Sequence, residues 1–469
     1  MTGCALPAKH ADRVTVGRSL AQRAALEPVY EPVLAHRPVD VVPAGALSED
    51  EAVAFALWNN AAFQDLLVDL DVSRADVISA GQLSNPEFWT VFPVGPKQLE
   101  FALNMPLEAI WLRPRRLDAA RLESRRIGHR LVQDGLNLVR DVRVAYADLV
   151  LAHDRLRLAD DGAMLRERIA SLARARLRAG DISELEAAAV GIDAVIARQD
   201  ARRLVHDVEI AQARLDGLLG LACGSVQVAL VGRDLPPVQI DVKQVVCEAQ
   251  RTRPDMWALR LAIEAAGERA RLARHDYLRV IGVLPDANGT GLKGFEAGPG
   301  VQFTVPIFNR NQGAIARAEA EVERSRRQYR VLSQAIAVDV RQSHARLRQA
   351  SEDLLAWTNQ LLPASASASE QAQKAYESGG VSLLLVLETS RQVLSARSRR
   401  IELAAEVRRA AAELERAVGR RLFQSPTEAT RQPESLPPPT EIREADAAPM
   451  TSPRLVERAA SDRPAEARL

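Results

Sequence analysis

The sequence predicts a mainly α protein with a small β part, built as a duplicated helix–strand–strand–long helix–turn–helix. Three observations carry that prediction. Aromatics make up only 4% of the 469 residues, while Ala, Leu, Arg and Glu dominate, the composition of long packed helices. Two long stretches keep a helical hydrophobic period. Landmarks also recur at one offset: Pro106 and Pro306 stand 200 apart, and so do Gly180 and Gly380. Each pair marks the same event, a strand end or a helical turn, as an internal repeat requires.

Residues 1–46 carry prolines and little periodicity, and read as an N-terminal segment outside the repeats. The first repeat spans 47–220. Ser48-Glu49-Asp50-Glu51 is a capping box that opens a helix reaching about Ala80. A strand pair follows at about 84–107, where Phe101, Leu103, Met105 and Leu107 alternate with Ala102, Asn104 and Pro106; its partner, Asn85–Pro93, alternates less cleanly. The long helix then runs from about Ile110 to Ala179. Leu131, Leu138, Ala145 and Ala152 fall seven apart, with Val142, Leu149 and Leu156 as the partner seam, and the alanines let neighbouring helices approach closely. Continuous, such a helix is about 100 Å long at 1.5 Å per residue. It ends in the tip 179–183, where Gly180 stops one helix and Asp181 or Ser183 caps the next, returning over Ile182–Leu219.

An inter-repeat connection, 221–241, holds Gly224, Gly232 and Pro236-Pro237. The second repeat, 242–422, repeats the order. A helix from Val242 to about Tyr277 breaks near Pro254. Strands occupy about 278–307, with Val301, Phe303, Val305 and Ile307 in alternation. The second long helix, Asn311–Ser378, carries Ile315, Val322, Tyr329 and Ile336, then Val340, Leu347, Leu354 and Leu361 displaced by four, a slip that changes local winding. Pro363 should kink it. The tip at 378–382, with Gly379 and Gly380, leads into a return helix over Ser382–Leu422. The remainder, 423–469, with Pro437-Pro438-Pro439 and almost no apolar pattern, predicts a disordered tail.

Several function classes are excluded. Gly289–Gly294 reads G-x-G-x-x-G, yet a phosphate-binding turn needs a helix opening at the third glycine, and Phe295-Glu296-Ala297-Gly298-Pro299-Gly300 cannot start one. The motif instead reads as a hairpin loop covering Pro285–Gly300. Lys+Arg 62 against Asp+Glu 61 leaves no basic field for nucleic acid. Cys4, Cys223 and Cys247 form no C-x-x-C, and no two of the seven histidines stand three or four apart, so neither a metal site nor a cofactor is predicted. No nucleophile–base spacing suggests an enzyme. No apolar run approaches the roughly 18 residues of a spanning helix. Each repeat supplies one hairpin, and four strands cannot close on themselves; three chains give twelve, within the membrane-barrel range, and the same symmetry wraps the helices into a hollow tube.

The segment Val305-Pro306-Ile307-Phe308-Asn309-Arg310-Asn311-Gln312-Gly313 and the tips Arg178-Ala179-Gly180-Asp181-Ile182-Ser183 and Gly380-Val381-Ser382-Leu383-Leu384 resemble the TolC-type outer-membrane efflux channels of Gram-negative bacteria, especially the branch paired with metal-exporting pumps. The resemblance covers about Leu47–Leu422. It implies a homotrimer: a 12-stranded β-barrel in outer-membrane lipid, continued by a long α-helical barrel through the periplasm, with strand-to-helix junctions at Pro106 and Pro306. It implies a periplasmic adaptor protein at the tips, an inner-membrane pump of the resistance-nodulation-division type, and a passive duct favouring heavy-metal cations as cargo. Glu388 resembles the family's inward acidic ring, and Asp181, Glu184 and Glu186 flank the first tip; the plain alternative for each is a solvated helix face. Thr2-Gly3-Cys4 resembles the end of a lipoprotein cleavage site, although Met1–Leu20 has no apolar core or basic lead. The expectation is a start upstream of Met1 with Cys4 acylated. The contrasting class is a soluble periplasmic or cytoplasmic coiled-coil scaffold, which gives no reason for two hairpins at matched positions.

Overall fold

The computed structural model describes residues 11–26, 46–91, 100–104, 108–221, 226–229, 240–275, 280–289, 295–303, 307–378 and 380–423. All belong to one unit, Met1–Gln424. The expected disordered tail lies outside the described residues apart from Phe423.

The N-terminal segment holds a helix that the sequence reading did not foresee, α1 (Arg13–Ala24). Asp12 accepts from the Thr15 amide at 2.8 Å while the Thr15 hydroxyl oxygen accepts from the Asp12 amide at 3.1 Å, a reciprocal cap. Val16, Leu20, Ala21 and Ala24 are buried on one face. The expected helix from Ser48 to Ala80 is two: α2 (Glu49–Asn59) and α3 (Ala61–Gly81). Asn60 breaks it with ψ 115, accepts from the Phe63 amide and donates to the Leu218 carbonyl at 2.9 Å. The side chain that ends one helix therefore starts the next and ties both to the far end of the repeat.

Strands β1 (Glu87–Val91) and β2 (Glu100–Asn104) precede α4 (Glu108–Ala179), which is 72 residues long, and α5 (Glu184–Leu218) returns. The second half has α6 (Val242–Thr252) and α7 (Pro254–His275), parted at Pro254 as expected. Next come β3 (Val280–Gly289), β4 (Phe295–Phe303) and α8 (Gln312–Ala356). A π turn, Trp357–Leu361, leads into α9 (Leu362–Glu377), and α10 (Leu383–Val418) returns. The π turn is how Pro363 acts: its ring clashes with the carbonyl four residues back and it donates no N–H, and a wider turn relieves both.

The four strands form one antiparallel sheet in the order β1-β2-β3-β4. The hairpins join through Glu100↔Asn288 and Phe101↔Ala287. The sheet corrects the loop expected over Pro285–Gly300, because β3 runs on to Gly289 and β4 starts at Phe295, with Pro285 opposite Pro299. Prolines fit opposite each other where both nitrogens face away from the shared ladder. The strand at Phe295 also removes the nucleotide reading of the glycine motif; its residues 290–294 lie outside the described residues. So do 105–107 and 304–306, with Pro106 and Pro306.

One apolar core joins α1, α2, α3, the middle of α4 and the end of α5 around Leu131, Val142, Leu149, Leu215 and Leu219. A second joins α6, α8 and α10 around Ile336, Val340, Leu347 and Leu414. These are the predicted heptad seams. Close approach explains two α4 glycines: a Cβ on Gly128 would stand 2.5 Å from the Ala11 Cβ, and one on Gly135 2.6 Å from Leu20. Among the described residues no helix is long and apolar enough to cross a membrane.

Candidate functional site

The site is the pair of helical turns farthest from the sheet, with the ties that hold them together. At the first, Gly180 has φ +83 and donates to the Leu177 carbonyl, while Asp181 donates to the Arg176 carbonyl, both at 3.0 Å. This is the two-bond glycine stop that satisfies the last carbonyls of a helix. Ser183 then caps α5: its hydroxyl accepts from the Glu186 amide at 3.2 Å, and the Glu186 carboxylate accepts from the Ser183 amide at 3.0 Å.

The second turn is built otherwise. Gly380 donates to the Ala375 carbonyl at 2.8 Å but does not adopt a positive φ. It takes the place of Asp181, not of Gly180, so the two glycines that stand 200 apart mark the same turn but not the same position within it. The helix starts show the same shift, since the caps Ser183 and Ser382 stand 199 apart. Gly379 lies outside the described residues. Ser382 makes no side-chain cap bond, and Leu385 stands where the first tip has Glu186.

Asp181, Glu184 and Glu388 are all exposed, and no ion pair among the described residues involves them; Glu388 accepts from Gln392 at 3.4 Å. The structure does not bring these three acids together within one chain. It singles out another that sequence reasoning missed. Asp193 on α5, 15% exposed, pairs with Arg166 of α4 at 3.2 Å and Arg391 of α10 at 2.6 Å. Its signal was legible: a lone acid in Val190-Gly191-Ile192-Asp193-Ala194-Val195-Ile196. Arg176 of α4 lies over the Tyr376 ring of α9, 4.5 Å from its centroid, and also donates to the Tyr376 hydroxyl. These contacts bind the first hairpin to the second.

Farther from the tips, Arg155 pairs with Glu402 at 2.8 Å. Where the halves meet, buried Arg143 pairs with Glu415 and lies 3.5 Å from Glu49 and 3.6 Å from Asp50. Burial alone would push its guanidinium down, but those carboxylates outweigh it and hold the group above its ordinary range. His129 stacks on Trp257 with centroids 6.4 Å apart. Burial, then Arg125 and Arg23, push its imidazole down to about 4. No group of three or more His, Cys, Asp or Glu among the described residues could hold a metal ion. Cys4 lies outside the described residues.

The profile of a family described as outer membrane efflux protein matches residues 245–420. The cobalt-zinc-cadmium resistance protein CzcC of Cupriavidus metallidurans is 24% identical over 401 residues, covering 80% of this chain and 91% of that protein. Over residues 245–420 the chain is similar to outer membrane efflux proteins, and over most of its length to CzcC. A second relative of this efflux protein is the pyoverdine export outer membrane protein OpmQ of Pseudomonas putida, 26% identical over 315 residues and 65% of each chain. Among solved structures, CusC superposes with a TM-score of 0.67 at 18% identity, covering 82% of this chain and 98% of that one. The efflux protein is thus a channel of the outer membrane reaching into the periplasm, and it carries out no catalysis.

Proposed function

We propose that this efflux protein is the exit duct of a tripartite pump, working as a homotrimer. The observation that carries the proposal is the sheet: four antiparallel strands end in two unpaired edges, β1 and β4, and each hairpin leads into a very long helix. Open edges in a membrane are costly, because each unpaired backbone group there lacks any partner. Three copies edge to edge make a closed barrel of twelve strands continued by a helical tube. The repeats 47–220 and 242–422 each supply two of the twelve strands, one sixth of the barrel, and one tip, with Pro106 and Pro306 at the junctions.

In this proposal Gly180, Asp181, Gly379 and Gly380 shape the turns offered to a periplasmic adaptor, and an inner-membrane pump of the resistance-nodulation-division type drives transport. Glu184 and Glu388 form the acidic entrance, and Asp193 holds the two hairpins together until the adaptor engages. Cys4 is the lipid anchor, which radiolabelled palmitate would tag in the native protein and not in Cys4→Ser. Cobalt, zinc and cadmium are the favoured cargo, because the relative named for resistance to them is matched over most of its length. OpmQ is named for a different cargo, which supports leaving selection to the pump. Deleting the gene should lower cobalt, zinc and cadmium tolerance and raise cell metal content, both restored by a plasmid copy. Unchanged metal tolerance would remove the metal cargo. Loss of siderophore export in the same strain would put an organic cargo in its place.

A further inference from the structure

Helices α3 and α8 are the two outer members of the upper helical layer: α3 packs on α4, α4 on α7, and α7 on α8. Each buries one face and leaves the opposite seam bare. On α3, Leu67, Leu70, Ser73 and Val77 are buried, and Asp65, Val68, Asp69, Val72 and Asp76 run along the other side. Val68 and Val72 are 46% and 54% exposed. On α8, Ala318, Ile336 and Val340 are buried, and Arg324, Arg327, Val331 and Val338 line the other side, with Val331 65% and Val338 51% exposed. Both seams follow the three-and-four spacing of helix–helix contact.

The charges on these seams are opposite and, apart from Arg327, which Glu323 takes, unspent. Among the described residues, none of Asp65, Asp69, Asp71 and Asp76 lies in an ion pair, and Arg74 is the only cation on α3. On α8 the three early acids are all taken: Glu319 by Arg274, Glu321 by Arg317 and Glu323 by Arg327. That leaves Arg324, Arg326 and Arg330 with no carboxylate in ion-pair reach among the described residues. The seams also stand at one height. Ser73 meets Ser124 at 3.1 Å, Arg269 pairs with the adjacent Glu123 at 3.0 Å, and α7 is pinned to α8 by Arg274–Glu319 at 2.6 Å and Arg260–Tyr329 at 3.2 Å. This ladder brings Asp65–Asp76 level with Arg324–Val331.

We infer that the acidic seam of α3 docks on the arginine seam of α8 in the next copy of this chain, with Val68 and Val72 packed against Val331. The inference rests on the exit-duct proposal and adds which helices seal the wall and why they choose each other. One chain cannot join its own two seams, because α4 and α7 stand between them. The contact is head-to-tail, which generates a ring when the rotation closes. Like charges set two α3 seams against each other, and likewise two α8 seams, so the pattern rejects the two-fold pairing that exposed valines alone would allow.

The test uses full-length protein purified in mild detergent at low salt. Reversing α3 (Asp65→Arg, Asp69→Arg, Asp76→Arg) should cut the trimer fraction at least tenfold by native mass spectrometry. Reversing α8 (Arg324→Asp, Arg326→Asp, Arg330→Asp) should do the same. Combining both sets should bring the trimer back to within about twofold of wild type, which also shows that the reversed chains still fold. In wild-type background, Val68→Cys with Val331→Cys should give an oxidised ladder of two and three linked chains that neither single variant gives. Single-seam reversals that leave the trimer intact, or a combined variant no better than either, would overturn the inference. So would a wild-type trimer without the cysteine ladder, which leaves the exit duct standing on other contacts. A wild-type protein that never exceeds one copy would remove the exit duct itself and this inference with it.

Discussion

The turn between α4 and α5 ends in a full side-chain cap on its second helix, whereas the turn between α9 and α10 has the Ser378 hydroxyl on the Ala375 carbonyl at 2.9 Å but no side-chain cap from Ser382. The first spans four residues, 180–183, with a left-handed glycine and a complete Ser183–Glu186 cap. Behind it Ala170, Ala173, Val190 and Ala194 form a small apolar cluster. The second spans five, 378–382, its cap Ser382 makes no side-chain bond, and the helix leading into it passes through a π turn. Repeats with one layout therefore have turns held in different ways. The second hairpin is the less firmly capped, and Asp193, reaching Arg391, is one of the ties that hold it to the first.

The baseline for any such comparison is set outside the tips, at His129, and it carries the largest expected effect. Its folded-state value is depressed, so the neutral form is favoured in the fold. Above pH 6.5 this costs nothing. As pH falls from 6.5 toward about 4 the unfolded chain takes up the proton first, and stability drops by roughly 3 kcal/mol, with no further loss from this group below that range. His129→Asn should flatten the pH dependence of the melting temperature in that window without altering the difference between the tips.

Asp193→Ala should come next. It leaves Arg166 and Arg391 without their shared carboxylate and costs about 2 kcal/mol of tip stability. Hydrogen exchange should rise more over 362–392 than over 170–190. Equal rises in both hairpins would contradict the asymmetry. Gly180→Val places a β-branched residue at φ +83 and should cost about 1–2 kcal/mol by backbone strain, although its Cβ meets nothing. Gly380→Val has no such strain, its Cβ lying 3.5 Å from the Ala375 carbonyl, and should cost under about 0.5 kcal/mol. The smallest contrast is in the caps. Ser183→Ala should lose about 1 kcal/mol, and Ser382→Ala close to none. All four are read from thermal melts.

The long helices, their seams and the places where they turn were legible because heptad spacing, glycine stops and serine caps act within a few residues. What was missed depends on distant partners. Asn60 splits a continuous helical pattern because its amide has the Leu218 carbonyl to bond. The helix α1 was hidden because its short apolar stripe has meaning only against Gly128 and Gly135 of α4. Prolines 285 and 299 read as loop residues one at a time, and only their opposition across a hairpin makes them tolerable in strands. At the tips the acids drew attention by position, yet the acid that joins the helices is Asp193, whose two arginines come from segments 27 residues before it and 198 after it. The one-residue shift between the turns was concealed by two adjacent glycines, Gly379 and Gly380, either of which matches Gly180 by eye.

The central claim is that several copies share one wall around a water-filled bore that the paired hairpins close. Single-channel recording of the purified protein in planar bilayers tests it most directly. The account predicts discrete ohmic steps, each from one trimer, with larger conductance in Asp193→Ala than in wild type. Membrane-inserted trimers that pass no ions in either form would contradict it.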